Sequence, residues 1–150
     1  MKSQSTDSFD RTHLDWVLLV VRVTAGIIFM AHGAQKLFGA FDGPGLAAIV
    51  QMMGPLGYLV SIGEFFGGLG LMLGFLSRFS ALSLTLIMLG AIALVHGQNG
   101  FFLSPKPGFE YNLALIGLLA PVWIAGPGRF AIGRLLPLPK KRGDLIPALQ

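Results

Sequence analysis

Three histidines, seven acids and eleven lysines or arginines are what this chain offers for acid–base chemistry. Several of them stand within or at the ends of long apolar stretches: Arg22, His32, Lys36, Glu64, His96 and Glu110. A central Arg, Lys or Asp in a bilayer costs about 2.5–3.5 kcal/mol on insertion scales, so such residues persist where they pair, snorkel or line a polar cavity. Two imidazoles, an ammonium and two carboxylates are the parts of a proton-handling site. His32, Lys36 and His96 can donate hydrogen bonds, and Glu64 or Glu110 can relay protons. Gln35, Gln98, Asn99, Tyr111 and Asn112 add neutral polar groups nearby in the sequence.

The sequence has no cysteine, which excludes a thiol redox pair, Cys-ligated zinc, an iron–sulfur cluster and a cysteine nucleophile. Any redox role therefore relies on a bound cofactor, a redox ligand or a partner protein. Neither His32 nor His96 has a second ligand at i+4, where Lys36 follows His32. No metal site is expected, although a haem held by the two histidines across helices stays open. His13 reads as a solvated residue.

The elements that must position these groups are membrane helices. The 150 residues are 53% apolar and 12% charged, against roughly 25% charged in soluble domains. That balance excludes a water-soluble enzyme and a secreted disulfide scaffold. Residues 1–15 form a polar leader without the pattern of a signal peptide. The apolar run 16–38 would make about 33 Å of helix, enough to span. Gly39, Asp42, Gly43, Pro44 and Gly45 mark a loop, and 46–53 reads as a short re-entrant or interfacial helix. Further spans are expected at 56–76, 79–95 and 110–125, the last kinked at Pro121. The expectation is an all-α integral membrane protein, a bundle of four transmembrane helices over residues 16–126.

Basic residues orient this bundle. With four spans, Lys2, Arg11, Arg78, Arg129, Arg134, Lys140, Lys141 and Arg142 share one side, against Lys106 and Lys36 on the other. Both termini are therefore expected in the cytoplasm, with the chain multi-pass in the bacterial inner membrane. A three-span chain would split the basic ends. The tail 127–150 holds an amphipathic piece at 129–136 and the run Lys140-Lys141-Arg142. It reads either as a topology signal against anionic headgroups or as a protein-docking tail. The net charge of +4 is weak evidence for nucleic acid, and no nucleic-acid partner is expected.

At 100° per residue, Arg22, Ala25, Gly26, Phe29, His32, Gly33 and Lys36 fall within an arc of about 120°, so one face of the first helix carries its ionisable groups and small residues. Glu64 is the lone acid of the second, beside the pairs Gly63/Gly67 and Gly70/Gly74, which favour close packing. Arg22 and Glu64 are the expected ion pair; alternatively Arg22 snorkels and Glu64 is held neutral. His32, Lys36, His96, Glu110, Tyr111 and Asn112 either converge on a polar pocket at the outer side or are merely interfacial. Gly26-x5-His32-Gly33-x4-Phe38 echoes Gly90-x5-His96-Gly97-x4-Phe102, a repeat that would set both histidines at one depth.

These residues resemble the DoxX family of small bacterial four-helix membrane proteins. The resemblance rests on Arg22, His32-Gly33, Lys36-Leu37-Phe38-Gly39, Gly63-Glu64, Gly74 with Arg78, His96, Gly100-Phe101-Phe102, Glu110-Tyr111-Asn112 and Gly126-Pro127-Gly128-Arg129. It covers about residues 17–135. The family is similar to the membrane subunit of thiosulfate:quinone oxidoreductase, and some members are associated with oxidative, thiol or quinone stress. The resemblance implies a quinone-linked redox role. His32, Glu64 and His96 are the expected catalytic groups, with Lys36, Glu110, Tyr111 and Asn112 binding quinone or a small redox substrate. The alternatives are a non-catalytic anchor recruiting soluble redox or detoxification enzymes, and a small transporter, which would need a homo-oligomer to form a pathway.

Overall fold

A computed structural model describes the backbone of residues 3–135 and the side chains of residues 11–135. Lys140, Lys141 and Arg142 lie outside the described residues, as does the end of the piece at 129–136. Among the described residues every regular element is helical: α1 (Ser3–Phe38), α2 (Gly45–Met53), α3 (Leu56–Leu73), α4 (Ser77–Ala91) and α5 (Glu110–Ala125). Arg11–Phe38, Leu56–Leu73 and Ser77–Asn99 are long and apolar enough to cross a membrane, and Glu110–Ala125 is a shorter apolar helix.

Local chemistry sets several boundaries. Pro44 and Pro55 precede α2 and α3 with helical φ of −67° and −58°, angles the pyrrolidine ring already imposes. α3 stops at Gly74, whose φ of 75° is left-handed. There the Gly74 amide donates to Leu71 O and the Phe75 amide to Gly70 O, closing the last turn as glycine permits. The second span is thus shorter than the expected 56–76. α4 begins two residues before the expected 79, and its continuation Ile92–His96 widens into a π-turn. α5 occupies the expected 110–125 and stays helical through Pro121. The polar residues before Trp16 continue α1 back to Ser3, because polar side chains do not interrupt a backbone ladder.

The long helices run antiparallel in sequence order, and the core draws on all of them: Ala25 and Phe29 from α1, Leu71 from α3, Ala81, Leu84 and Met88 from α4, and Leu115, Leu119 and Val122 from α5. The outward faces are apolar too. Val20, Ile27, Leu59, Phe66, Phe79, Leu86, Leu113 and Ile124 are all exposed, far more apolar surface than a soluble monomer shows. The buried hydroxyls of Ser61 and Thr85 return to their own helices, to Gly57 O and Ala81 O, so neither is left unpaired within the apolar bundle.

The closest helix approach joins α1 to α3. A Cβ on Gly26 would lie 2.7 Å from Gly68 O, and one on Gly33 would lie 2.6 Å from Phe65 Cα. The pair Gly63/Gly67 serves a different neighbour, since it faces Ile87 and Leu84 of α4. Gly33→Ala is expected to force α1 from α3 and lower stability by about 1–3 kcal/mol, the usual cost of overpacking. Gly117→Ala, where a Cβ meets nothing within 4 Å, should leave the melting temperature in detergent unchanged.

Candidate functional site

The inward stripe of α1 contains Leu18, Arg22, Ala25, Gly26, Phe29 and Gly33, all buried. His32 and Lys36 sit at its edge, half-buried. Across the glycine contact, α3 presents Glu64, 3% exposed. The Lys36 ammonium and a Glu64 carboxylate oxygen form a salt bridge and hydrogen bond. The side chain of Glu64 is almost wholly enclosed while that of Lys36 is 24% exposed, so the pair is open on the lysine side alone. A carboxylate in such surroundings needs a counter-charge with good geometry, and Lys36 supplies it.

His32 lies one turn before Lys36, and its ring meets Tyr111 of α5 edge-on at 6.0 Å between centroids. Imidazole, phenol, ammonium and carboxylate from α1, α3 and α5 thus collect at the end of the bundle where α1 finishes. This collection can donate hydrogen bonds from His32, Lys36 and Tyr111, and it can hold or pass a proton through the Lys36–Glu64 pair. The other expected members do different work. His96 Nδ1 lies 2.9 Å from Pro107 O; a carbonyl only accepts, so Nδ1 is the donor of this contact, and in the neutral ring Nε2 is then the acceptor. Asn99 donates to the same carbonyl. Glu110 accepts from the Leu103 amide at 2.8 Å. His96 and Glu110 thereby hold the loop 97–109 closed. Asn112 is buried and donates to Met88 Sδ at 3.4 Å.

The DoxX sequence profile matches residues 17–97, a stretch containing Arg22, His32, Lys36, Glu64 and His96. The chain belongs to the DoxX family. It is 33% identical over 122 residues to the Inner membrane protein YqjF of Escherichia coli, covering 79% of this chain and 91% of that protein. The Uncharacterized membrane protein Rv3486 of Mycobacterium tuberculosis is 27% identical over 136 residues, with 79% and 80% covered. The Putative oxidoreductase CatD of Bacillus subtilis is 28% identical over 106 residues, with 67% and 73% covered. No solved structure matches the chain. The apolar helices and these relatives make this DoxX chain a multi-pass membrane protein, and the expected inner-membrane localisation agrees with the name of the Escherichia coli relative.

The expected Arg22–Glu64 pair is not formed; Glu64 pairs with Lys36. Side chains on a helix lean toward its N-terminus. On antiparallel helices, Arg22 therefore leans toward the Ser3 end of α1, while Glu64 leans the opposite way, toward the end holding Lys36. Arg22 Nη1 packs on Gly74, ten residues or about 15 Å along α3 from Glu64. Its Nη2 donates to Phe130 O at 2.6 Å. Two turns earlier, Asp15 accepts the Arg129 amide at 2.8 Å, and Trp16 packs on Phe130 with centroids 4.6 Å apart. Asp15 and Arg22 together clamp the peptide at 129–130. Their two-turn spacing was legible in the sequence; the segment they grip was not. Phe38, Phe101 and Phe102 are exposed.

Lys36→Met is expected to destabilise the protein by about 3 kcal/mol, because it leaves a buried carboxylate without its counter-charge. Adding Glu64→Gln to that variant should recover most of the loss, a non-additivity measured by a double-mutant cycle of thermal melts.

Proposed function

We propose that this DoxX chain is the membrane subunit of a quinone-linked oxidoreductase, with the quinone head received beside His32, Lys36, Glu64 and Tyr111. The observation that carries this reading is the Lys36–Glu64 pair, enclosed on the acid side and open on the lysine side. An ion pair sited there, beside an imidazole and a phenol, is suited to recognising a ligand with two carbonyl oxygens and to exchanging protons with it. When bound, a quinone supplies the two-electron redox chemistry that no side chain of this cysteine-free sequence provides.

The chain's own residues would divide the task. Lys36 and His32 donate hydrogen bonds to an incoming oxygen, and Tyr111 closes the α5 side. Glu64 fixes the position of the Lys36 ammonium through their salt bridge. His96, with Nε2 free as an acceptor, stands as a proton acceptor at the end of the π-turn. Electrons come from a soluble redox partner. The name of the Bacillus subtilis relative, an oxidoreductase by designation, supports the redox class.

The proposed topology has four spans with both termini in the cytoplasm. Arg78, Arg129 and Arg134 stand at the Gly74 end, while Lys36 and Lys106 belong to the other, the asymmetry expected of a cytoplasmic face. α5, at about 24 Å, is short for a core of about 30 Å, a mismatch that local thinning of the bilayer absorbs.

Two measurements test these readings. In nanodiscs, His32→Ala and Glu64→Gln should each weaken binding of a ubiquinone or menaquinone analogue by at least about ten-fold, or about 1.4 kcal/mol, with insertion intact. Unchanged binding in both variants removes the site. Because the native sequence contains no cysteine, Ser104→Cys gives a clean single-label probe. An impermeant maleimide should modify it from the periplasmic side of intact spheroplasts, and protection there would overturn the orientation.

A further inference from the structure

The opposite end of the bundle carries a second cluster that the proposed redox site does not use. Arg22 is 1% exposed, and while Nη2 reaches Phe130 O, its Nε and Nη1 are buried without a partner. Nor has the guanidinium a carboxylate among the described residues. Asp15 accepts from the Arg129 amide, Glu64 holds Lys36 and Glu110 accepts from the Leu103 amide, while Asp42 follows α1 at the other end. A buried cation without counter-charge is among the costliest arrangements a protein can hold.

The surroundings are rich in donors. Nη1 lies against Gly74, where the glycine leaves the space a Cβ would occupy. Three residues on, Ser77 opens α4; it is 1% exposed, and its Oγ is likewise buried and unpartnered. The N-cap position of α4 is held by Leu76, which has no side-chain acceptor to offer the first-turn amides. A helix start normally satisfies those amides with Ser, Thr, Asp or Asn, or with an anion. Guanidinium, hydroxyl and helix start therefore adjoin one turn, where Nε and Nη1 of Arg22 and Oγ of Ser77 lack partners and no side chain caps α4. Arg78 and Arg129 add positive potential at the same end.

We infer that the turn between α3 and α4 is a binding site for a tetrahedral oxyanion, a phosphate group held by Arg22, Ser77 and the first-turn amides of α4. The phosphate belongs either to a phospholipid headgroup or to a free anion from the aqueous phase. Phe130 and Ala131 pack over Arg22 and Gly74, so the C-terminal segment forms the cover of the site. This site is independent of the quinone reading, since it uses neither Lys36 nor Glu64.

The test uses the full chain purified in dodecyl maltoside, which contains no phosphate. Melting is followed against inorganic phosphate, with chloride holding ionic strength constant. In parallel, native mass spectrometry counts phosphatidylglycerol retained per chain. A phosphate-dependent rise in melting temperature identifies a free anion; one retained phosphatidylglycerol identifies a headgroup. Either signal should weaken by about ten-fold in Ser77→Ala, the worth of one hydrogen bond to a charged group, and persist in Ser104→Ala on the exposed loop. Ser77→Ala removes only an unpartnered hydroxyl, so the test stands even where Arg22→Gln fails to fold. No response in either arm, or an equal response from wild type and Ser77→Ala, overturns the proposal.

Discussion

The contact of α1 with α3 through glycine governs most of what this molecule can do. Where Gly26 meets Gly68 and Gly33 meets Phe65, the two backbones come close enough for Lys36 and Glu64 to meet side chain to side chain. In an apolar surround each charge alone would be expensive to bury, and together they offset much of that cost. Membrane helices gain little from hydrophobic association, because lipid is as apolar as their faces. Small residues that permit close van der Waals contact, and polar groups that find partners across it, take over that role.

The two ends of the bundle have contrasting chemistry. At the end where α1 finishes, opposite charges are matched and flanked by neutral donors, and the loop 97–109 is stitched down by His96, Asn99 and Glu110. At the Gly74 end, Arg22 is buried with no carboxylate beside it among the described residues, and the chain returns through Gly126-Pro127-Gly128 to be gripped by Asp15 and Arg22. A redox ligand suits the first environment and an anion the second. The same Arg22 that was expected to neutralise Glu64 instead belongs to the Gly74 end.

Several features were readable from residue order because they depend on local periodicity or on chain-wide composition. Low charge with long apolar runs means helices facing lipid. The arc from Arg22 to Lys36 predicts the inward face of α1, and the buried stripe runs along it. Gly and Pro marked the breaks around 39–45 and 54–55. The lean of helical side chains toward the N-terminus, applied to antiparallel neighbours, would also have separated Arg22 from Glu64 in advance.

What residue order could not contain is which distant segments meet. The family, the apolar helices and the candidate residues are properties of the chain read in line. The partnership of Lys36 with Glu64, the use of His96 and Glu110 as loop fasteners, and the clamp on Phe130 depend on axial register between helices far apart in sequence. A shift of one helical turn moves a side chain about 5.4 Å, more than the reach of a hydrogen bond. That register follows from where Cβ atoms are missing on both facing helices at once, a pairwise fit that only the packed bundle decides.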